Sequence, residues 1–373
     1  MYVPSVTNPI GDYVREWVPQ LAAYLPESWQ GDTTNTIIAF AINAIICVVA
    51  VCLVNIGNAP ILIYMERKVC AHVQCRLGPM RLGWHGTIQT IADVLKMLFK
   101  EVYSPAGADK KLFYIAPMIA LIAPFMITAL IPFGNNLLVA NVDMGIPLII
   151  AVNGFGVLGI LLGGWSSNNK YSLMGSLRSG AQMISYEISF ALVLLFVVMV
   201  SGTTNLMEIT NSQAGTVADW MIFKVPVLGI LAFIMFFICS TAEMNRAPFD
   251  IAEAEQELTG GYHTEYTGTP FAMFYLAEYI ALVTNSALAA TCFLGGFHAP
   301  CIGIAAVDQY LVMVPGVVWM FAKIYFLIWC YMMVRWTFVR PRVDQLMSFE
   351  WKFMLPVNML LLIGGAAYIA LSI

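Results

Sequence analysis

TIIAFAINAIICVVAVCLVNIGNAPILIY, residues 36–64, runs for twenty-nine positions without a charged side chain. Wound as an α-helix at about 1.5 Å per residue, it reaches about 43 Å. That exceeds a hydrocarbon core of roughly 30 Å, so the helix must tilt or protrude. The stretch sets the fold class, and the rest of the composition agrees with it. Only 11% of residues are charged and mean hydropathy is +0.78, where a soluble domain carries about a quarter charged residues. Further apolar spans fall near 112–132, 144–165, 180–202, 225–242, 270–294, 311–334 and 354–372. The chain reads as an all-α polytopic membrane protein of about eight transmembrane helices, with interfacial amphipathic helices added.

Lysine and arginine orient it. Loops after spans one, three, five and seven hold fifteen of them, from Arg67 to Lys352; the other side holds Arg15 and Lys224, and Lys323 lies within a span. The bias places both termini on the outer side, with cytoplasmic loops near 65–111, 166–179, 243–269 and 335–353. Residues 1–35 form an outer-side N-terminal segment with a short amphipathic piece near Trp17–Leu25, and 36–373 a single transmembrane domain. The start shows no signal-peptide pattern. Thr87–Lys100 is different in kind: Ile88, Ile91, Leu95, Leu98 and Phe99 make one apolar stripe opposite Asp93, Lys96 and Lys100. Such a helix lies in the interface rather than across it.

Several signals are negative. The eight cysteines and four histidines show no disulfide framework and no metal-ligand spacing. No basic patch suggests nucleic acid. Gly154-x-Gly156-x-x-Gly159 matches the dinucleotide fingerprint by letter, but it lies in an apolar span, with no preceding strand and no acidic ribose partner. Gly159 and Gly163 instead suit close helix–helix contact.

Chemistry concentrates in residues 241–265, where Glu243, Asp250, Glu253, Glu255, Glu257 and Glu265 surround one strong cation, Arg246. Pro248 suits the first turn of a short helix, and on it Asp250, Glu253 and Glu257 share a face. Carboxylates held so close cannot all stay ionised where water is scarce. A solvated acidic loop is the competing reading. Within the spans, Glu187 and Glu278 lie roughly 10–12 Å from the same side, and Lys323 sits near mid-membrane. Charges at such depth usually mark an ion or proton path; an ion pair of Lys323 with a glutamate is the structural alternative.

Taken in order, these residues are similar to a known family. Glu66-Arg67-Lys68, Gln74-x-Arg76-x-Gly78-Pro79-x-Arg81-x-Gly83 and Gln89-x-x-Ala92-Asp93-x-x-Lys96 come first. Trp165-Ser-Ser-Asn-Asn-Lys170-Tyr171 and Arg178-x-x-x-Gln182-x-x-x-Tyr186-Glu187 follow. Then come Ala242-Glu243-x-Asn245-Arg246-x-Pro248-Phe249-Asp250, Glu265-Tyr266, Ala277-Glu278-Tyr279 and Asp344-Gln345-Leu346. From about Glu66 to Pro356 the chain resembles the H-type subunits of NADH–quinone oxidoreductases, which form the quinone-site membrane part of respiratory complex I. Met80, Trp84 and the shifted proline of Arg340-Pro341-Arg342 depart from that pattern. The residues before Thr36 lie outside it.

The resemblance implies a subunit that lines a quinone cavity and links quinone reduction to proton translocation. Glu66, Arg67, Asp93, Arg178 and Arg246 belong near the cavity on that reading. Glu243, Asp250, Glu253, Glu255 and Glu257 form a coupling loop; Glu187, Glu265 and Glu278 continue an intramembrane proton path, to which the buried charge of Lys323 is added. Quinone is then a substrate and no cofactor is bound by this chain, while partner subunits carry iron–sulfur clusters and FMN. Peripheral-arm, small membrane and antiporter-like subunits are the implied partners. A bacterial inner membrane is favoured over the mitochondrial inner membrane. The rival readings are the matching subunit of a complex I-like hydrogenase or other-donor oxidoreductase, and a stand-alone proton or ion transporter.

Overall fold

The computed structural model describes residues 32–135, 137–252 and 255–372. The expected N-terminal segment lies almost wholly outside them, as do Trp17–Leu25 and Glu253. The principal helices are α1 (Asp32–Val73), α2 (Gln89–Phe99), α3 (Lys110–Leu130), α4 (Gly145–Ser166), α5 (Lys170–Ser201), α6 (Leu228–Glu243), α7 (Gly268–Phe293), α8 (Gly316–Thr337) and α9 (Leu355–Ser372). Among the described residues, β-pairing is limited to two isolated bridges. The all-α membrane fold stands.

Among the described residues, seven helices are long and apolar enough to cross a membrane: α1 from Ala44, α3, α4, α5, α7, α8 and the run Val343–Leu371 that ends in α9. The eighth expected span, near 225–242, is α6, with 16 residues. Its rise of about 24 Å falls short of the hydrocarbon core. Pro226 and the left-handed Val227 (φ 67) delay its start, after a separate turn of helix at Met221–Lys224. At the other extreme α1 continues past Tyr64 to Val73, so the loop expected from 65 begins nine residues later. His72 lies in the last turn of α1, at the negative end of the helix dipole, which favours cations.

α7 is the hub. Every residue from Leu282 to Phe293 is buried, and α1, α3, α6 and α8 all pack on this helix. α3, α4 and α5 stand in sequence beside it. Gly159 permits a close approach of α3 and α4: a Cβ there would fall 2.5 Å from the Ala120 nitrogen and 2.7 Å from its Cα. Gly163 likewise admits the ring of Phe274. The glycine spacing serves packing, as its apolar setting implies. Because the obstacle at Gly159 is backbone, Gly159→Ala is expected to cost about 1–3 kcal/mol. Thermal denaturation of the detergent-purified protein reads this as a lowered Tm.

α2 packs on α1 and α7, with Ile88, Ile91, Leu95, Leu98 and Phe99 all exposed. Its apolar stripe therefore faces outward, as an interfacial helix requires.

The 244–267 loop departs from expectation. Pro248 does not open a helix: turns run to Ala252, and the described residues of the loop become helical at Glu255–Leu258 and, as a 3-10 turn, at Gly261–His263. Asp250 and Glu257 thus share no helix face. Gln182 explains part of this, since its amide donates to the Ala242 and Phe249 carbonyls, both at 2.8 Å, and ties the loop to α5. Those bonds satisfy backbone groups that a helix would otherwise pair. Tyr266 closes the far end, donating to Phe113 and Gly163 carbonyls at 3.2 and 3.3 Å. Burial pushes its hydroxyl up to about 12, so it serves as a fixed donor.

Candidate functional site

Two polar spaces meet at the end of the bundle closed by this loop. In the first, Glu66 of α1 is buried between two guanidinium groups. Arg246 approaches it at 3.1 Å, Arg335 at the last turn of α8 pairs with its other oxygen, and the Tyr279 hydroxyl donates to it at 2.8 Å. Arg246 also lies 4.4 Å from the centre of the Tyr279 ring, a cation–π contact. Burial works against the charge on Arg246, but Glu66, Tyr279 and Glu278 outweigh it and hold its pKa above the ordinary arginine value. Its Nε and Nη2 make no hydrogen bond to the described residues.

This cluster backs an open pocket of about 520 Å³, walled by Glu66, Arg67, Arg76, Tyr275, Tyr279 and Trp336 among others. Arg67 pairs at its rim with Asp93 of α2, so the interfacial helix is fixed to the pocket mouth by charge. A space of this size, with aromatic walls and a few convergent polar groups, is typical of a small-molecule site.

The second space is narrower and less open. A chamber of about 70 Å³ lies among α3, α4, α5, α6 and α7, lined by Asn153, Glu243, Asn245, Tyr262, Glu278, Thr284 and Asn285 with apolar neighbours. It is roomy enough for a handful of waters, each needing roughly 10–15 Å³ on this measure. Glu278 accepts from Tyr262 at 3.3 Å and has His263 at 3.8 Å. Glu243 is buried beside Asn153 and pairs with no cation among the described residues. Glu187 stands nearby on α5, partly buried, with Oε1 3.5 Å from where a Gly154 Cβ would be.

The two spaces share a wall. Asn245 lines the chamber while Arg246 turns into the Glu66 cluster; on α7, Glu278 lines the chamber while Tyr279 reaches Glu66. Adjacent residues on a helix point about 100° apart, which lets one element serve both sides.

The remaining expected residues distribute differently. The acidic loop is divided among separate partners: Asp250 pairs with Arg340 at 2.8 Å, Glu257 with Arg178 at 2.8 Å, and Glu265 accepts from Asn169. Arg178 is therefore drawn to the loop and not to the pocket. Glu255 opens the helix Glu255–Leu258. Lys323 is not brought together with the acids. Its ammonium donates to the Leu294, Gly296 and His298 carbonyls at 2.7–2.8 Å and lies over Trp220. It caps the far end of α7, about 24 Å along the helix from Glu278.

Residue spacing did not reveal Arg335, Arg340, Tyr262 or Tyr279 as site residues. Tyr279 stood in the Ala277-Glu278-Tyr279 motif and could have been singled out there. Arg335 lies 269 positions from its partner, and no local pattern joins them.

A sequence profile of the NADH dehydrogenase family matches residues 44–366. The chain is 44% identical over 359 residues to the H-type NADH-quinone oxidoreductase subunit of Bacteroides thetaiotaomicron, covering 96% of this chain and 97% of that protein. It is 45% identical over 358 residues to the protein of the same name in Phocaeicola vulgatus, covering 94% and 96%. To an H-type NADH-quinone oxidoreductase subunit of Geobacter sulfurreducens it is 46% identical over 329 residues, covering 83% and 90%.

Proposed function

The chain belongs to the NADH dehydrogenase family, and from that premise we propose that it is the quinone-site membrane subunit of a proton-translocating NADH–quinone oxidoreductase. The observation that carries this is the shared wall: a pocket with a buried charge cluster stands one residue away from a carboxyl-lined chamber, on two separate elements. Quinone enters past the apolar face of α2 and brings its headgroup toward Glu66, Arg67 and Tyr279. Reduction to quinol takes two electrons and two protons, and drawing those protons from neighbouring groups changes the charge beside Glu66 and Arg246. Arg246 feels both Glu66 and Glu278, which lets that change bias the protonation of the chamber acids as coupled titrations do.

Electrons come from iron–sulfur clusters and FMN in partner subunits, and antiporter-like subunits receive the coupling signal. The ion-paired loop 250–265 faces the peripheral arm, the lysine-rich loops lie on the cytoplasmic side of a bacterial inner membrane, and both termini lie outside.

The test is purification in mild detergent. The chain is expected to travel with iron–sulfur subunits, and the assembly to reduce a water-soluble quinone from NADH with sensitivity to quinone-site inhibitors. Recovery of the chain alone with ion-transport activity would overturn the reading.

A further inference from the structure

Glu350 belongs to neither space. It is fully buried and opens a π-turn, Glu350–Met354, where the helix Val343–Phe349 passes into α9. Turns of this kind interrupt a regular helix mostly where a side chain must be re-aimed, and they are frequent at functional sites. Ser189 of α5 donates to Oε1, while Oε2 makes no hydrogen bond and the carboxyl no ion pair among the described residues. α5 also presents the Tyr186 hydroxyl, α6 presents Cys239, and Lys352 on the same turn is exposed.

Two turns further on, Asn358 is fully buried, and neither its nitrogen nor its oxygen has a partner. Glu350, Met354, Asn358 and Leu361 form one buried stripe. It faces α5 and α6, and at Gly365 the approach is so close that a Cβ would fall within 2.9 Å of Phe196 and Met199.

Three unpartnered polar atoms on one buried stripe call for a partner. With Glu350 neutral they include two donors, its Oε2 hydroxyl and the Asn358 nitrogen, and one acceptor, the Asn358 oxygen, and water is the small ligand that serves both. A bare charge with no cation is expensive among apolar helices. We propose that Glu350 and Asn358 hold a buried hydration site between α5, α6 and α9, with Glu350 as its neutral acid donor. Cys239, one turn before Glu243, is within electrostatic reach of both carboxyls, which sets the site beside the chamber as a lateral branch. The branch role rests on the proton-coupling reading above; the hydration site does not.

Infrared spectra of the intact assembly in membranes, taken in H₂O and D₂O, test it. A protonated-carboxyl band is expected that shifts in D₂O and is lost in Glu350→Gln. Asn358→Leu keeps the band and slows its shift. Should Glu350→Gln fail to assemble, Glu350→Leu supplies the same loss. A Glu350 band that is missing in the native assembly, one that never shifts, or one whose shift Asn358→Leu leaves unchanged would overturn the proposal. Absence of NADH–quinone turnover in the native assembly would count against the proposed function and leave the band readable.

Discussion

Arg246→Ala is expected to cost the folded protein about 3–5 kcal/mol, the usual penalty for stranding one partner of a buried ion pair. Glu66 would keep Arg335, but Arg335 is a quarter exposed and sits on one side only of the carboxylate. The Tyr279 ring would lose the cation stacked on it as well. Function is expected to suffer separately from stability. Quinone reduction should be nearly lost, while NADH oxidation by an artificial acceptor that draws electrons from the partner subunits persists. Arg246→Lys should recover part of the stability and little of the quinone activity, because an ammonium cannot stack on Tyr279 and reach Glu66 with the same fork of donors. The Tm of the purified assembly and the two activities, measured side by side, check both halves. Equal loss of both activities would mean that Arg246 matters only for assembly.

The fold was legible because a bilayer writes itself into a sequence plainly. Residues 36–64 and the other apolar runs were recognisable by length and lack of charge alone, and the stripe on α2 by its spacing. What length could not show was that α6 is cut short by Pro226 and Val227, since apolar content continues through both. The site was legible in part. Glu66, Arg246, Glu243 and Glu278 stood out as charges in or beside apolar spans. Their sharing of a wall did not, because it depends on contacts between α1 and the 244–267 loop, 180 positions apart. The acidic loop misled for a physical reason: crowding in sequence was read as crowding in space. In the fold Arg340 and Arg178 draw Asp250 and Glu257 apart, and Gln182 holds the backbone out of the helix that would have aligned them. Lys323 was read as one more charge on the path, yet depth in the membrane says nothing about direction, and its three carbonyl acceptors lie at the opposite end of α7.

Glu278→Gln carries the second large expectation. The amide has the shape of the carboxyl and still accepts from Tyr262, so assembly and Tm should stay close to those of the unaltered protein. It cannot take up or release a proton. If the chamber is where the charge change at Glu66 becomes a proton movement, coupled NADH–quinone turnover should fall about 10²-fold, the lower edge for removing a positioned proton-handling group. Glu243→Gln should act alike, since both carboxyls line one chamber of about 70 Å³. Substitutions acting through one unit are not additive, so the double variant should be little worse than either single one. Proton uptake by inverted membrane vesicles, followed beside the rate of NADH oxidation, separates this outcome from a purely structural role, which would lower Tm and assembly first. An assembled Glu278→Gln enzyme that pumps at the full rate would show that the chamber is only a packing defect filled by polar side chains, and that the coupling leaves the Glu66 cluster by another route.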